Sequence, residues 1–275
     1  MQDLYKWLEL FNEYGWFGLV ILLEYLFPNR RYALLNKGWL SDLVHTYEPV
    51  VRAMLINACV VGVNGLLPGT GPLKNLLADV PGWQVFLAAL LVSEISFYFI
   101  HRLVHRNPIL WEFHRVHHSS TRYYSLMTSR FHLLDLTLFS IPYVVVMGWL
   151  GAGGEGLLWF AFFQGFVDRY GHSNVNGPRF TGRILMTPHF HAWHHSTDTA
   201  AFDKNFSRNL VVLDYLFGTA YYPKDKEAEE FGEKDYSNNY IVQQLAPFYY
   251  VAKKARQYFR DAVRPAADSR AARPD

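Results

Sequence analysis

Residues 82–100 read GWQVFLAALLVSEISFYFI, an apolar run whose one ionisable side chain is Glu94, and the chain passes straight from it into HRLVH at 101–105. A run of this length is what an α-helix needs to cross the hydrocarbon core of a bilayer. In helical register His101 and His105 stand four residues apart on one face. Such a helix delivers two imidazoles to the boundary between lipid and water, and the rest of the fold must satisfy them there.

Four further apolar stretches accompany it. YGWFGLVILLEYLF begins at Tyr14 and AMLINACVVGVNGLL at Ala53; they end at Pro28 and Pro68, as helices stopping at a membrane interface do. LLDLTLFSIPYVVVMGWL and GLLWFAFFQGFV are separated only by GAGGE, which predicts a helical hairpin over 133–167 that either spans or re-enters. The expected fold is therefore an all-α integral membrane protein with four to five membrane helices. Charged residues at 18% fall below the roughly 25% usual for soluble domains, and aromatics reach 17%, which suits a lipid setting.

Beyond about residue 172 the apolar runs become too short to cross again, so this region is expected to form a helical cap. Residues 246–264, APFYYVAKKARQYFRDAVR, alternate aromatics with bases at helical spacing, fitting a helix on an anionic surface or one packed on its own domain. Residues 1–262 read as one domain and 263–275 as a disordered tail. The N-terminal segment MQDLYKWLELFNEYG lacks the basic and apolar regions of a cleavable signal, so insertion is expected to rely on internal segments. Basic loops at 29–39 and 101–107 set the orientation: a multi-pass protein of a bacterial inner membrane or the endoplasmic reticulum, with its His-rich loops on the cytoplasmic side. A net charge of +2 with scattered basic residues argues against nucleic acid as a partner. Cys59 is the only cysteine, so any metal must be held by nitrogen or oxygen.

Eight of the twelve histidines lie in three spaced groups: His101 and His105 in HRLVH, His114, His117 and His118 in HRVHH, and His191, His194 and His195 in HAWHH. Residues three or four apart share a helical face, so each group aims its imidazoles in one direction. That many buried imidazoles without a metal would be polar groups lacking partners. Imidazole suits zinc, copper, iron and nickel alike, but eight or nine ligands exceed the needs of one ion and imply two. His172, in DRYGHSN, is a further candidate ligand, and Asp168, four residues earlier, would share its face. Glu94 lies seven residues before His101, where it could orient His101 or His105, or pair with Arg102 or Arg130. His189 is a possible outer partner, while His45 and His132 read as core residues as readily as ligands.

The ordered trio HxxxH, HxxHH, HxxHH, threaded between membrane helices, resembles the fatty acid hydroxylase and sterol desaturase superfamily. The resemblance covers roughly residues 85–222, through SEISFYFIHRLVHRNPILWEFHRVHHSS, GHSNV and TPHFHAWHHSTDTAAFDKNFSRNLVVLDYLFGT, with Asn205 and Asp214 in the closing segment. HRVHHSS and DKNF are most similar to the branch containing alkylglycerol monooxygenase, with Arg106 where that branch often has an acidic residue. The resemblance implies a non-haem site of two iron ions held by the eight clustered histidines and His172, and O2 as co-substrate. The expected activity is hydroxylation or desaturation of an unactivated C–H bond in a sterol, fatty acyl chain or ether lipid. The sequence contains no ferredoxin-type cysteine set, flavin fingerprint or cytochrome domain, so electrons are expected from a separate cytochrome- or ferredoxin-type protein. Two other classes compete: a zinc-dependent membrane hydrolase, for which the chain lacks an HExxH helix, and a non-enzymatic metal or haem carrier, which needs only paired axial ligands.

Overall fold

The computed structural model describes residues 6–8, 10–32, 38–46, 49–64, 67 and 69–263. From residue 264 on, the tail expected at 263–275 lies outside them. Among the described residues the chain is helical and forms no strand; isolated antiparallel bridges such as Leu185 with Leu210 are its only β contacts. Its helices are α1 (Trp16–Leu26), α2 (Trp39–Thr46), α3 (Pro49–Asn64), α4 (Gly82–Arg106), α5 (Leu110–His118), α6 (Leu133–Trp149), α7 (Glu155–Gly171), α8 (Pro188–His194), α9 (Val212–Leu216) and α10 (Tyr240–Val263).

The 25 residues of α4 make it about 37 Å long, more than the roughly 30 Å of a bilayer's apolar core. Among the described residues it is the one helix long and apolar enough to cross; α1, Met54–Val63 of α3, and α6 are shorter apolar helices. Leu87, Leu91, Ile95, Phe99 and Leu103 repeat every fourth residue along α4 and are all exposed. Its other side buries Ala89 against Met147 of α6 and Phe160 of α7, with Phe86 and Tyr143 beside them. α6 and α7 follow one another through a short turn at Gly151 and Gly154, φ +72° and +71°, but each packs on α4 more than on the other. Gly156 lets α7 approach the start of α4, since a Cβ there would meet Gly82 O at 2.2 Å.

Two local signals bring the histidine helices together. Pro108 bars α4 from continuing, and Asn107 Oδ1 accepts from the N–H groups of Ile109 and Leu110 at 2.9 and 3.0 Å, starting α5 back across the end of α4. Thr187 caps α8 by accepting from Phe190 N–H, and Pro188 fits the first turn, where no N–H partner is needed. Every residue of α8 is buried; Trp193 packs with Tyr123, Tyr124, Met127 and Phe231 in the core of the cap.

α10 packs mainly through its first half, and from its second half Lys254 reaches Pro108 O at 2.9 Å and Glu112 at 2.5 Å. Gln243 accepts from Ser41 Oγ at 3.1 Å and lies 2.8 Å from His45 Nε2, while His132 caps α6 through Nδ1 and donates from Nε2 to Gln244 O at 2.9 Å. His45 and His132 are thus structural residues. Side chains 252–260 are exposed, including Tyr258 and Phe259, so the reading of a helix packed on its own domain holds for the first half.

Candidate metal centre

Nine histidines converge where α4, α5, α7 and α8 meet, in two sets. His101, His105, His114, His118 and His194 form one and His117, His172, His191 and His195 the other; within each set the ligand atoms lie within 4.8 Å of one another. The expectation that each HxxHH group points one way is corrected here. Consecutive helical residues diverge by about 100°, so His114 and His118 turn to the first set while His117 turns to the second. On α8 the division is reversed, with His194 in the first set and His191 and His195 in the second. The sets abut where the His118 and His195 rings stack with centroids 4.4 Å apart.

Hydrogen bonds at the far side of five of the rings fix which nitrogen faces inward. His101 Nδ1 donates to Phe206 O at 2.9 Å, His194 Nδ1 to Lys204 O at 2.7 Å, His117 Nδ1 to Arg130 O at 3.2 Å and His172 Nδ1 to Asp168 O at 2.8 Å. A carbonyl only accepts, so each of these rings carries its proton on Nδ1 and turns a bare Nε2 inward. His114 Nδ1 meets Asp135 Oδ2 at 2.9 Å instead.

Those inward nitrogens lack protein donors. All five Nε2 atoms of the first set are buried without a hydrogen-bond partner. In the second set, the Nε2 atoms of His117 and His172 stand 3.2 Å apart and those of His172 and His191 3.0 Å apart. His117 and His172 both carry their protons on Nδ1, so their bare Nε2 acceptors repel at that distance unless a cation lies between them, which fits a metal position in the second set as well. Burial is the largest influence on His114, His117, His118, His172, His191, His194 and His195 and pushes every one below the usual imidazole range, His194 to about 3. At neutral pH they are uncharged, the form that ligates.

Cavities reach the cluster from two sides. One of about 180 Å³ is bounded by Phe97, Phe131, Leu136 and Phe139 and exposes imidazoles of both sets. Another of about 490 Å³ reaches His105, His118, His194 and His195 past Trp111, Arg106 and Lys254.

Residues 86–219 match the family described as fatty acid hydroxylase, and they contain all nine converging histidines. That match spans 134 of the chain's 275 residues, just under half. The chain is 35% identical over 171 residues to an ornithine lipid hydroxylase of Rhizobium tropici, covering 60% of this chain and 50% of that protein. It is 30% identical over 157 residues to the alkylglycerol monooxygenase of Homo sapiens, covering 54% of this chain and 32% of the relative. A very-long-chain aldehyde decarbonylase of Oryza sativa is 26% identical over 152 residues, 51% of this chain and 23% of its own length. The chain thus spans half or less of the curated relatives named. No solved structure matches it significantly.

Within residues 86–219, Glu94 and Asp168 take roles other than those expected, and a third acid supports a histidine. Glu94 is not hydrogen-bonded to a ligand histidine; its Oε1 accepts from Asn209 N–H at 3.0 Å. Arg130 is buried in an ion pair with Asp42, and Arg102 Nη1 reaches Tyr98 Oη at 3.5 Å, so neither is Glu94's counter-ion. Asp168 supports His172 through its backbone carbonyl while its carboxylate pairs with Arg208 at 2.7 Å. His189 faces away, toward Glu227 at 3.2 Å and Gly177 O at 3.1 Å. The third acid, Asp135, escaped sequence reasoning altogether, although a lone carboxylate at the start of an apolar stretch is the same kind of signal that drew attention to Glu94.

The closing segment explains its own residue choices. Asn205, at φ +57°, donates from Nδ2 to Phe190 O and Tyr221 O, both at 2.8 Å, and accepts from Tyr221 N–H at 2.7 Å. Asp214 accepts from the N–H groups of Phe206 and Ser207 at 2.8 and 2.9 Å. Together they hold the turn whose carbonyls, Lys204 and Phe206, orient His194 and His101.

Proposed function

We propose that this chain is a membrane-bound, O2-dependent lipid hydroxylase holding two iron ions, one in each histidine set. The observation that carries the reading is the convergence of nine imidazoles, five and four, on two centres, with all five inward nitrogens of the first left without a hydrogen-bond partner. A zinc hydrolase activating one water, or a haem carrier using two axial ligands, would leave most of these imidazoles without a role. Iron rather than another imidazole-binding metal is supported by the family match and by relatives named as hydroxylase and monooxygenase.

Bound iron would supply the activation of O2 that oxidation of an unactivated C–H bond requires. The chain's own residues do the rest. His101, His105, His114, His118 and His194 would hold one ion and His117, His172, His191 and His195 the other, with carbonyls and Asp135 fixing ring tautomer and orientation. Phe97, Phe131, Leu136 and Phe139 give the smaller cavity one apolar wall beside the imidazoles, where a C–H bond can lie, while Asp168, Arg169 and Arg208 line the rest. At about 180 Å³ it lies below the roughly 300–1,000 Å³ of a pocket for a whole small ligand. It therefore takes the reacting segment of a sterol, acyl chain or ether lipid, the remainder staying in the bilayer.

The multi-pass topology follows the same reading: α4 crosses, the shorter apolar helices line it, and the histidines face the cytoplasm. The larger cavity, rimmed by Arg106 and Lys254, is the side from which a separate acidic electron donor approaches. The test is lipid mass spectrometry of cells with and without the intact chain. A lipid class gaining one oxygen, or losing two hydrogens if desaturation follows, is expected; an unchanged profile despite an iron-loaded protein and a competent donor contradicts the proposal.

A further inference from the structure

Part of the cap reaches α4 well away from its histidine end. The bridge between Leu185 and Leu210 joins two extended segments, with Met186 N–H donating to Asn209 O at 2.8 Å and Val211 N–H to Ile184 O at 3.0 Å. Their contacts with α4 lie unexpectedly far down that helix. Asn209 N–H reaches Glu94, seven residues before His101 and so about 10 Å further from the histidine end. Phe217, following α9, stacks on Tyr98 at 5.3 Å and meets Phe99 edge-on at 5.5 Å. All these contacts fall between Glu94 and Phe99, inside the apolar stretch of α4, where Ile95 and Phe99 are themselves exposed.

Most outward side chains of these segments are apolar as well, with the exposed Arg183 the charged exception. Ile184 is 67% and Leu216 71% exposed, and Phe180 and Val212 lie open beside them. On a water-facing cap this would be a contiguous apolar surface with no partner. At the depth of Glu94 it continues the lipid-facing stripe of α4. The backbone is equipped for that depth, because its N–H groups at 186, 209 and 211 are all paired, two within the ladder and one with Glu94.

We infer that residues 180–186 and 209–217 form a wedge sunk into the leaflet nearest the histidines, with Ile184, Val212 and Leu216 on acyl chains and Glu94 pinning the wedge to α4. The inference rests on the proposed crossing of α4. It also gives Glu94 a task, that of satisfying a backbone N–H where water is absent. Met186, Ser207 and Arg208 border both the wedge and the smaller cavity, so the wedge sets that cavity's mouth at acyl-chain level, where a lipid enters without passing through water.

The chain's single cysteine makes the test clean. In a Cys59→Ser background, Ile184→Cys, Leu216→Cys, Leu91→Cys and Glu229→Cys variants of the full chain are spin-labelled in phosphatidylcholine–phosphatidylglycerol vesicles, and collision rates with O2 and with a water-soluble nickel chelate are measured. Labels at 184 and 216 are expected to match Leu91, in the middle of α4, with an O2-to-nickel ratio several-fold above that at the exposed Glu229. Nickel access at 184 and 216 equal to that at 229, with 91 still shielded, overturns the wedge and leaves the crossing of α4 intact. Nickel access at 91 too overturns both.

Discussion

His114 Nδ1 lies 2.9 Å from Asp135 Oδ2, and both side chains are 1% exposed. Of the five ring hydrogen bonds that fix an inward Nε2, this is the one made to a side-chain carboxylate; the others go to backbone carbonyls. A carboxylate behind an imidazole raises its basicity as well as orienting it, so the first metal position has a stronger donor than the second.

Replacing Asp135 tests that difference. Asp135→Leu is expected to weaken metal binding by about 10–100-fold, while Asp135→Asn, whose amide oxygen still accepts, loses less. Metal retained after dialysis against graded chelator measures it; equal retention by wild type and Asp135→Leu would show that the carboxylate does not support the site.

The turn at Asn205 is expected to be as important to the centre as a ligand. Asn205→Ala loses three hydrogen bonds of a fully buried side chain and must hold φ +57° without them. Each polar group left unpaired costs about 1–3 kcal/mol, so both thermal stability and metal content should fall. Thermal unfolding in detergent alongside metal analysis checks this, and a variant matching wild type in both would refute the role of the turn.

The division of the histidines into two sets has a simple consequence. His194→Ala and His191→Ala each remove a ligand from a different set, so each should lower metal content by about one ion per chain, and the double variant should lower it by two. Metal per chain, measured against protein by amino-acid analysis, decides it. Loss of all metal in each single variant would mean that the two positions load only together, and no loss would remove both residues from the centre.

How much of this was legible in the sequence differs from residue to residue. The HRLVH group and the helix pair of 133–167 announce themselves because helical periodicity is local: hydrophobic run, phase and turn residues lie side by side in the chain. The split of HxxHH between two centres depends on where α4 and α7 stand relative to α5 and α8, which is tertiary information. The partners of Glu94 and of His45 were hidden for the same reason, lying 115 and 198 residues away in the chain. Carbonyl acceptors such as Phe206 O and Arg130 O leave no trace at all, because every residue has one.

Phe139 separates lipid access from metal binding. Its ring lines the smaller cavity and packs against His101 at 5.6 Å and His114 at 5.5 Å. Phe139→Trp should fill that cavity and abolish lipid oxidation, with metal content and thermal stability near wild type. Full turnover by this variant would place the substrate elsewhere, with the larger cavity the next candidate.

Iron per chain is the most direct measure of the central claim. Full-length protein, purified in mild detergent from iron-replete cells, should contain two iron ions per chain and an X-ray absorption edge showing nitrogen-dominated ligation. Zinc in place of iron, or a single ion per chain at saturating iron, would contradict it.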